Sequence, residues 1–186
     1  MRIRYFRGVV YVALLRGINV GGKNKVDMKQ LKAVFEDVGL TAVRTYINSG
    51  NVIFSSTSRS RARLTEVLED TIAGTFGFKV DVLVRDLKSM RAVVAALPRA
   101  WVNDATMKCD VMFLWDDVAR ASVVKELPIK PEIEDLKYVA GALIWRVDRK
   151  SVTRSGQMKL VRTPLYKRMT IRNCNTTRKL LELMEA

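Results

Sequence analysis

The sequence predicts an α+β fold whose first half is ferredoxin-like. Three observations support this prediction: apolar segments of strand length alternate with amphipathic segments of helix length, a polar turn joins two strands as a hairpin, and the elements follow the order β-α-β-β-α-β. A second α+β half has a similar order of elements. We therefore expect a ferredoxin-like domain over residues 9–86 and a second α+β domain over 87–186, with a basic C-terminal helical region.

The first half begins with a strand over Val9 to Leu15, which is apolar on both faces and therefore typical of a central, buried strand. Asp27 is a suitable N-cap for the next helix, and Gly39 can end it. The turn Asn48-Ser49-Gly50-Asn51 joins two strands. The other elements of this half are predicted as strands over 43–47 and 52–55, a helix over 58–76 and a strand over 80–85.

The second half has a less regular pattern. Asp86 caps a helix that extends to Leu97, and the segment 98–108 is expected to be irregular. Asn175 or Thr176 caps a final helix. Between these helices we predict a strand over 111–115, a helix over 117–127 and a hairpin of strands 136–139 and 143–147. The likeness between the halves lies in the order of elements, without a sequence repeat to support a duplication.

Basic residues are concentrated near the C-terminus. The chain of 186 residues has 33 Lys and Arg against 19 Asp and Glu, a formal net charge of +14. The segment from Arg146 to Lys179 holds eleven basic residues and one acid, Asp148, and so carries +10 of that charge. A basic surface attracts polyanions and speeds their encounter, although it can also serve solubility alone. This composition favours an anionic partner, with nucleic acid and nucleotides as candidates.

Histidine is absent from the chain, which excludes His-based nucleophile pairs and every zinc site that contains histidine. The two cysteines, Cys109 and Cys174, have no metal-binding or disulfide pattern, so we expect two reduced thiols. The sequence therefore predicts no metal ligands and no catalytic residues, and it identifies no cofactor. Whether the protein is an enzyme stays open at this point.

The N-terminal segment does not read as a targeting signal. Residues 1–7 are basic and 8–15 are apolar, but the apolar run is short, ends at Arg16 and has no cleavage site after it. No segment approaches the ~18 apolar residues that a membrane helix needs. We therefore expect a cytoplasmic protein without a membrane partner.

The loop from Arg16 to Lys25 is the main candidate for a binding site. It lies between a strand and a helix, and its glycines allow main-chain amides to approach a ligand closely. Such amides, with a helix N-terminus beyond them, form a ready anion site. The loop nearly matches a P-loop, but Asn24 replaces the Ser or Thr that would bind Mg²⁺, and the predicted hairpins indicate an antiparallel sheet. A purely structural turn is the alternative.

Two further polar segments are weaker candidates. The hairpin tip around Asn48 is most simply a turn, and we expect it to lie at the opposite or an offset end from the first loop. The segment from Thr170 to Thr176 precedes a helix, where its side chains can cap free amides. Arg172 and the neighbouring asparagines can alternatively reach a phosphate or a base edge.

These three segments also carry a resemblance to a known family. Ala13 to Val26, Arg44 to Val52 and Thr170 to Thr176 resemble the sequence hallmarks of the bacterial "domain of unknown function 1697" family. The resemblance extends from about Val9 to Met184 and implies a two-part α+β fold with ferredoxin-like character and no established activity. The family usually has tryptophan in place of Cys174, and residues 1–8 lie outside the resemblance.

The leading hypothesis is a protein that binds a phosphorylated or polyanionic ligand, such as a nucleic acid or nucleotide. An enzyme acting on a phosphate-bearing substrate, with Asp116, Asp117 or a lysine handling protons or metal, and a protein–protein interaction module are the alternatives. The candidate ligand-binding residues are Arg16, Gly17, Asn19, Gly21, Gly22, Lys23, Lys25, Asn48, Ser49, Asn51, Thr170, Arg172, Asn173 and Asn175.

Overall fold

Eight β-strands and five α-helices alternate along residues 8–186, the part of the chain that the computed structural model describes. The chain divides into two compact units, residues 1–88 with 182–186 and residues 89–181. The predicted α+β class is confirmed, and each unit contains one four-stranded antiparallel sheet. The N-terminal extension lies outside the described residues, except for Gly8.

The first unit has the predicted order β-α-β-β-α-β and is followed directly by another helix. Its elements are β1 (Val9–Leu15), α1 (Met28–Asp37), β2 (Thr41–Tyr46), β3 (Asn51–Ser56), α2 (Arg61–Phe76), β4 (Val82–Asp86) and the start of α3 (Leu87–Ala96). The strands lie in the order β2-β3-β1-β4. The strand β1 is therefore central, as its apolar sequence predicts.

The helices α1 and α2 cover one face of the first sheet. Alternate residues of β1, such as Tyr11 and Leu15, point into a buried core with Phe35 of α1 and Leu68 of α2. The opposite face of β1 is buried as well, since Val12 and Leu14 are 0 % exposed. Burial on both faces explains why this strand has no polar alternation.

The second unit repeats the strand order of the first. Its elements after α3 are β5 (Met107–Leu114), β6 (Glu134–Val139), β7 (Ala142–Asp148), α4 (Gln157–Leu160), β8 (Met169–Asn173) and α5 (Cys174–Glu185). The sheet order β6-β7-β5-β8 corresponds to β2-β3-β1-β4 in the first unit. The fourth strand of each sheet leads without a loop into a helix, α3 after β4 and α5 after β8.

Helices are the main difference between prediction and structure in the second unit. The helix predicted over 117–127 is wrong: a short 3-10 helix spans Ala121–Glu126. The carbonyl of Ala119 accepts a hydrogen bond from the hydroxyl of Tyr138 at 2.9 Å, so a tertiary contact takes an acceptor that a longer helix would use. Two further 3-10 helices, Arg149–Arg154 and Pro164–Arg168, occupy the segment before β8.

The start of α5 is also corrected. The expected caps were Asn175 and Thr176, but Oδ1 of Asn173 accepts from the amide of Thr176 at 2.8 Å. The helix begins earlier than predicted because β8 pairs with β5 up to Asn173, which makes the last strand residue the cap. Among the described residues, no helix has the length and apolarity that crossing a membrane requires.

Candidate functional site

The glycine-rich loop, residues 16–25, leaves the carboxyl end of β1 and is folded by its own asparagines. The amide of Asn19 donates to the carbonyl of Asn24 at 3.1 Å, and Nδ2 of Asn24 donates to the carbonyl of Gly17 at 3.1 Å. Both asparagines have positive φ, 54° and 49°, a conformation that asparagine tolerates better than most residues. Their side chains and their backbone therefore serve the same turn.

Asn19 joins the loop to the rest of the first unit. Its Oδ1 accepts from the amide of Val26 at 2.9 Å, and its Nδ2 donates to the carbonyls of Val26 at 3.0 Å and of Asn48 at 2.9 Å. These bonds use the side-chain amide within the protein. Asn19 therefore shapes the site, and its side chain is engaged in holding the loop in place.

The loop amides divide into bonded and unbonded groups. The amide of Lys23 donates to the carbonyl of Val20 at 3.1 Å and is therefore engaged. The amides of Gly21 and Gly22 make no hydrogen bond within residues 8–186. These two glycines are consecutive residues with φ of 57° and 78°, which side-chain-bearing residues adopt at a cost, and both are exposed. Consecutive exposed amides of this kind are suited to hold an anion.

Two amides at the N-terminus of α1 are already engaged within the protein. Oδ1 of Asp27 accepts from the amides of Lys29 at 2.9 Å and of Gln30 at 2.8 Å. The helix dipole is thus matched by an internal carboxylate. The anion-binding capacity of this region rests on the glycine amides and on the lysine side chains.

Lys23 and Lys25 are both exposed, and neither ammonium group has an ion-pair partner within residues 8–186. Arg16 is half-buried, and its amide donates to the carbonyl of Asp81 at 2.9 Å. Two cations and two amides that make no bond to any other described residue thus lie in one loop and create a locally positive surface.

The hairpin tip lies beside the glycine-rich loop, so the expectation of opposite or offset ends is wrong. The amide of Leu15 donates to the carbonyl of Gly50 at 2.8 Å, and Asn19 contacts Asn48 as described above. The physical reason is the antiparallel pairing of β1 with β3, which brings the end of β1 to the beginning of β3. The turn that precedes β3 therefore meets the loop that follows β1.

The hairpin residues divide into internal and surface groups. Asn51 is 0 % exposed, and its Nδ2 donates to the carbonyl of Tyr46 and to Oγ of Ser49, each at 3.0 Å. Asn48 is exposed, and its side-chain amide makes no hydrogen bond within residues 8–186. Ser49 and Asn51 thus form the turn, while Asn48 presents an amide at the surface.

An open groove of about 650 Å³ lies between the loop, the start of α1, the hairpin tip and the end of α2. The loop contributes Gly22 and Lys25, and the hairpin contributes Asn48. The remaining lining residues are Asn19, Val26, Asp27, Met28, Gln30 and Phe76. The groove combines a cation, neutral amides and apolar surface, the mixture that is typical of small-molecule sites.

Five residues that line the groove are not among the candidates predicted from the sequence: Val26, Asp27, Met28, Gln30 and Phe76. Met28 and Phe76 have the helical spacing that is typical of core residues, and both are partly buried against the core while they also line the groove. Gln30 is an exposed residue in the first turn of α1, and its position alone carries no functional signal. These residues could have been found by first predicting that β1 pairs with β3, because that pairing places the hairpin tip next to the glycine-rich loop.

The fourteen candidate residues do not all belong to one unit. Thr170, Arg172, Asn173 and Asn175 lie in the second unit, whereas the other ten candidates lie in the first. Arg172 is 7 % exposed, and its Nη1 donates to Oγ1 of Thr170 at 3.0 Å and to the carbonyl of Ile171 at 2.8 Å. Burial lowers the pKa of Arg172 to about 10.

Asn173 and Asn175 also bond within the second unit. Asn173 caps α5, and Nδ2 of Asn175 donates to the carbonyl of Asn103 at 2.9 Å. These polar side chains thus hold the junction of β8 and α5 together, which agrees with the capping alternative for the segment.

The acids considered for catalysis are also in the second unit. Asp117 accepts from Nε and Nη2 of Arg168 at 3.0 and 2.7 Å, and this hydrogen bonding holds the pKa of its carboxyl below the usual value. The carboxylate is therefore occupied by an arginine. Within the described residues, no group of three or more His, Cys, Asp and Glu side chains is arranged to hold a metal ion.

Comparison with known proteins finds a matching family model and a similar solved structure. The model of the family described as "Protein of unknown function (DUF1697)" matches residues 9–145. The structure of conserved bacterial protein SP0830 from Streptococcus pneumoniae is similar, with 33 % sequence identity and a TM-score of 0.81, over 95 % of this chain and 98 % of that one. No curated protein matches the chain.

Proposed function

The chain belongs to the DUF1697 family, and we propose that this protein binds a phosphate-bearing ligand of nucleotide size in the groove beside its glycine-rich loop. The observation that supports this most directly is the pair of unbonded amides at Gly21 and Gly22, next to exposed Lys23 and Lys25. Main-chain amides and ammonium groups together are the donors that phosphate oxygens use.

The remainder of the groove suits the uncharged part of a nucleotide. Met28 and Phe76 supply apolar surface, and Asn48 and Gln30 supply side-chain amides that make no hydrogen bond within residues 8–186. A volume of about 650 Å³ lies in the usual range for small-molecule pockets, roughly 300–1,000 Å³. In this arrangement the phosphate lies against Gly21 and Gly22, and the base and sugar lie along the groove.

The net charge of +14 supports the same class of ligand, since a basic protein attracts polyanions over long range. A nucleic-acid strand offers many phosphates, whereas a nucleotide offers a single cluster. The two ligands differ in salt dependence, because log affinity falls by roughly 0.7–0.9 per phosphate contacted for each log unit of salt.

Isothermal titration tests the proposal with pyrophosphate, adenosine monophosphate and a single-stranded oligonucleotide. Lys25→Ala is expected to weaken pyrophosphate binding about tenfold, because a hydrogen bond to a charged group contributes about 1.5–3 kcal/mol. Lys125→Ala is the matched control: it removes an equal charge at an exposed position in the second unit. Absence of binding to all three probes, or equal losses in both variants, contradicts the proposal.

The same protein variants distinguish ligand binding from the two alternatives, an enzyme and a protein–protein interaction module. Magnesium-dependent turnover of the nucleotide, lost in Lys23→Ala, indicates an enzyme. A stable protein partner whose capture is unchanged in Lys23→Ala and Lys25→Ala indicates an interaction module that does not use the loop cations. A steep salt slope with the oligonucleotide and no saturable binding of the mononucleotide indicates that nucleic acid is the ligand.

A further inference from the structure

Cys109 and Cys174 face each other at the end of the β5–β8 ladder. Asp110 pairs with Asn173 in this antiparallel register, so the next position places Cys109 of β5 opposite Cys174, the first residue of α5. Directly opposed residues have Cβ atoms about 4.5–5.5 Å apart, whereas a disulfide joins Cβ atoms about 3.5–4.5 Å apart. The two ranges meet at about 4.5 Å, so a disulfide can join opposed residues of an antiparallel ladder.

The two thiols form a hydrogen-bonded pair within one apolar cluster of the second unit. Both are 0 % exposed and pack with Leu97 and Ile144. The hydrogen bond from Cys109 lowers the pKa of Cys174 to about 7, and the positive charge of Arg178 contributes in the same direction. The same hydrogen bond, together with burial, raises the pKa of Cys109. Of the two thiols, Cys174 is thus the one whose thiolate is favoured.

An irregular segment, residues 97–106, lies against the pair and is fastened to α5 by side chains. The thiol of Cys174 donates to the carbonyl of Trp101, with Sγ 3.5 Å from the oxygen. Nη1 and Nη2 of Arg178 donate to the carbonyls of Trp101 at 2.9 Å and of Pro98 at 2.8 Å. Because this segment has no helix or strand of its own, it can open locally without unfolding the sheet.

We propose that Cys109 and Cys174 are a redox-modification site that closes to an intramolecular disulfide on reaction with a peroxide. The thiolate of Cys174 attacks one peroxide oxygen, the O–O bond breaks, and Cys174 becomes a sulfenic acid while the departing hydroxide takes up the proton that the Cys174 thiol gave up and leaves as water. The sulfur of Cys109 then attacks the sulfenic sulfur, the S–O bond breaks, and the hydroxide leaves as water with the proton of Cys109. In total, two thiols and one hydrogen peroxide yield one disulfide and two waters. A dithiol reductant reverses the change.

The full-length protein is incubated with hydrogen peroxide, and its intact mass is measured after alkylation in denaturant. The expected product has lost two hydrogen atoms, resists alkylation at both cysteines and returns to two alkylated thiols after reduction. In Cys109→Ser, dimedone is expected to label Cys174, because the resolving thiol is absent. In Cys174→Ser, Cys109 is expected to stay unlabelled at the same peroxide concentration.

A separate variant tests the role of the covering segment. Arg178→Lys keeps the positive charge beside Cys174 but cannot reproduce the forked pair of bonds to the carbonyls of Trp101 and Pro98, and it is expected to accelerate disulfide formation several-fold. The control Arg162→Lys, at an exposed position in the same unit, leaves the rate unchanged. Two alkylatable thiols after prolonged peroxide treatment of the folded wild-type protein overturn the proposal. A disulfide that forms only in denaturant also overturns the proposal. The wild-type measurement decides the question even where a cysteine variant fails to fold.

Discussion

Asn19 links the glycine-rich loop to the hairpin tip, because its side-chain Nδ2 donates to the main-chain oxygen of Asn48 at 2.9 Å. Two segments that are 29 residues apart in the sequence thereby form one wall of the groove. The contact depends on the antiparallel pairing of β1 and β3, which brings the loop and the hairpin tip together. The side chain of Asn19 then stabilises this arrangement with its hydrogen bond.

Replacement of Asn19 by alanine removes three side-chain hydrogen bonds and is expected to lower the free energy of unfolding by about 4–5 kcal/mol. Each lost hydrogen bond costs about 1 kcal/mol, and an alanine with positive φ costs about 1–2 kcal/mol more. Urea denaturation measures the change. Asn48→Ala is the control, since its main-chain carbonyl is retained and the change is expected to be small. Equal effects of the two substitutions would contradict the role of the Asn19 side chain.

Gly50 and Gly22 provide a matched pair, because both have φ of 78° but different surroundings. A Cβ on Gly50 would lie 2.7 Å from Cβ of Leu15 and 2.9 Å from Cδ1 of Ile18, whereas a Cβ on Gly22 has no neighbour within 4 Å. Gly22→Ala should therefore cost about 1–2 kcal/mol for its backbone conformation alone. Gly50→Ala should cost about 1–3 kcal/mol more because of the overpacked contact. Thermal and urea unfolding of both variants measure the difference.

Position 156 requires glycine because there is no room for a side chain, whereas its backbone conformation is one that any residue adopts. Its φ is −68°, but a Cβ would lie 1.7 Å from the carbonyl oxygen of Pro128. Gly156→Ala is expected to lose at least about 3 kcal/mol of stability or to fail to fold. The control is Gly74→Ala within α2, where a Cβ meets nothing within 4 Å and alanine should stabilise the helix by about 0.5–1 kcal/mol. A stable Gly156→Ala variant would show that the two segments are not in contact.

Asp104 should make stability depend on pH in the acid range. Its Oδ1 accepts from the amides of Thr106 and Met107, and these hydrogen bonds hold the pKa of the carboxyl below its ordinary value of 3.8. The pKa of Asp104 is lower in the folded protein than in the unfolded chain. The contribution of its carboxylate to the free energy of unfolding is therefore complete above about pH 3.8 and is lost as the pH falls through the folded pKa. The stability advantage of wild type over Asp104→Asn should therefore shrink on acidification.

Urea denaturation at several values between about pH 2 and 6, a range that brackets ordinary carboxyl titration, measures this dependence. Asp37→Asn is a suitable control, because the side chain of Asp37 is exposed and makes no hydrogen bond or ion pair within residues 8–186. An advantage over Asp104→Asn that is constant with pH would contradict the role of the carboxylate charge.

The fold of the first unit was predictable because its elements are local. The apolar run of β1, the cap at Asp27 and the turn around Gly50 all lie within a few residues of the features they specify. The second unit was harder, since its 3-10 helices depend on contacts such as the bond from Tyr138 to Ala119, which joins residues 19 apart. Propensity carries no information about such a partner.

The candidate site was partly predictable for the same reason. Glycines and lysines in one loop are visible in the sequence, and the exposed amides of Gly21 and Gly22 agree with that reading. The internal bonding of Asn51 and Arg172 was not visible, because a polar side chain looks alike in sequence whether it caps a neighbour or reaches a ligand. Met28, Gln30 and Phe76 entered the groove only through tertiary packing.

By itself the sequence determined the α+β class, the central position of β1, the basic charge and the presence of the glycine-rich, cationic loop, because these follow from periodicity, composition and turn chemistry. Only the tertiary structure decided that the hairpin tip lies beside that loop and that Cys109 opposes Cys174. Both relationships are set by strand register, and register is determined by the packing of whole sheet faces and not by any short stretch of residues.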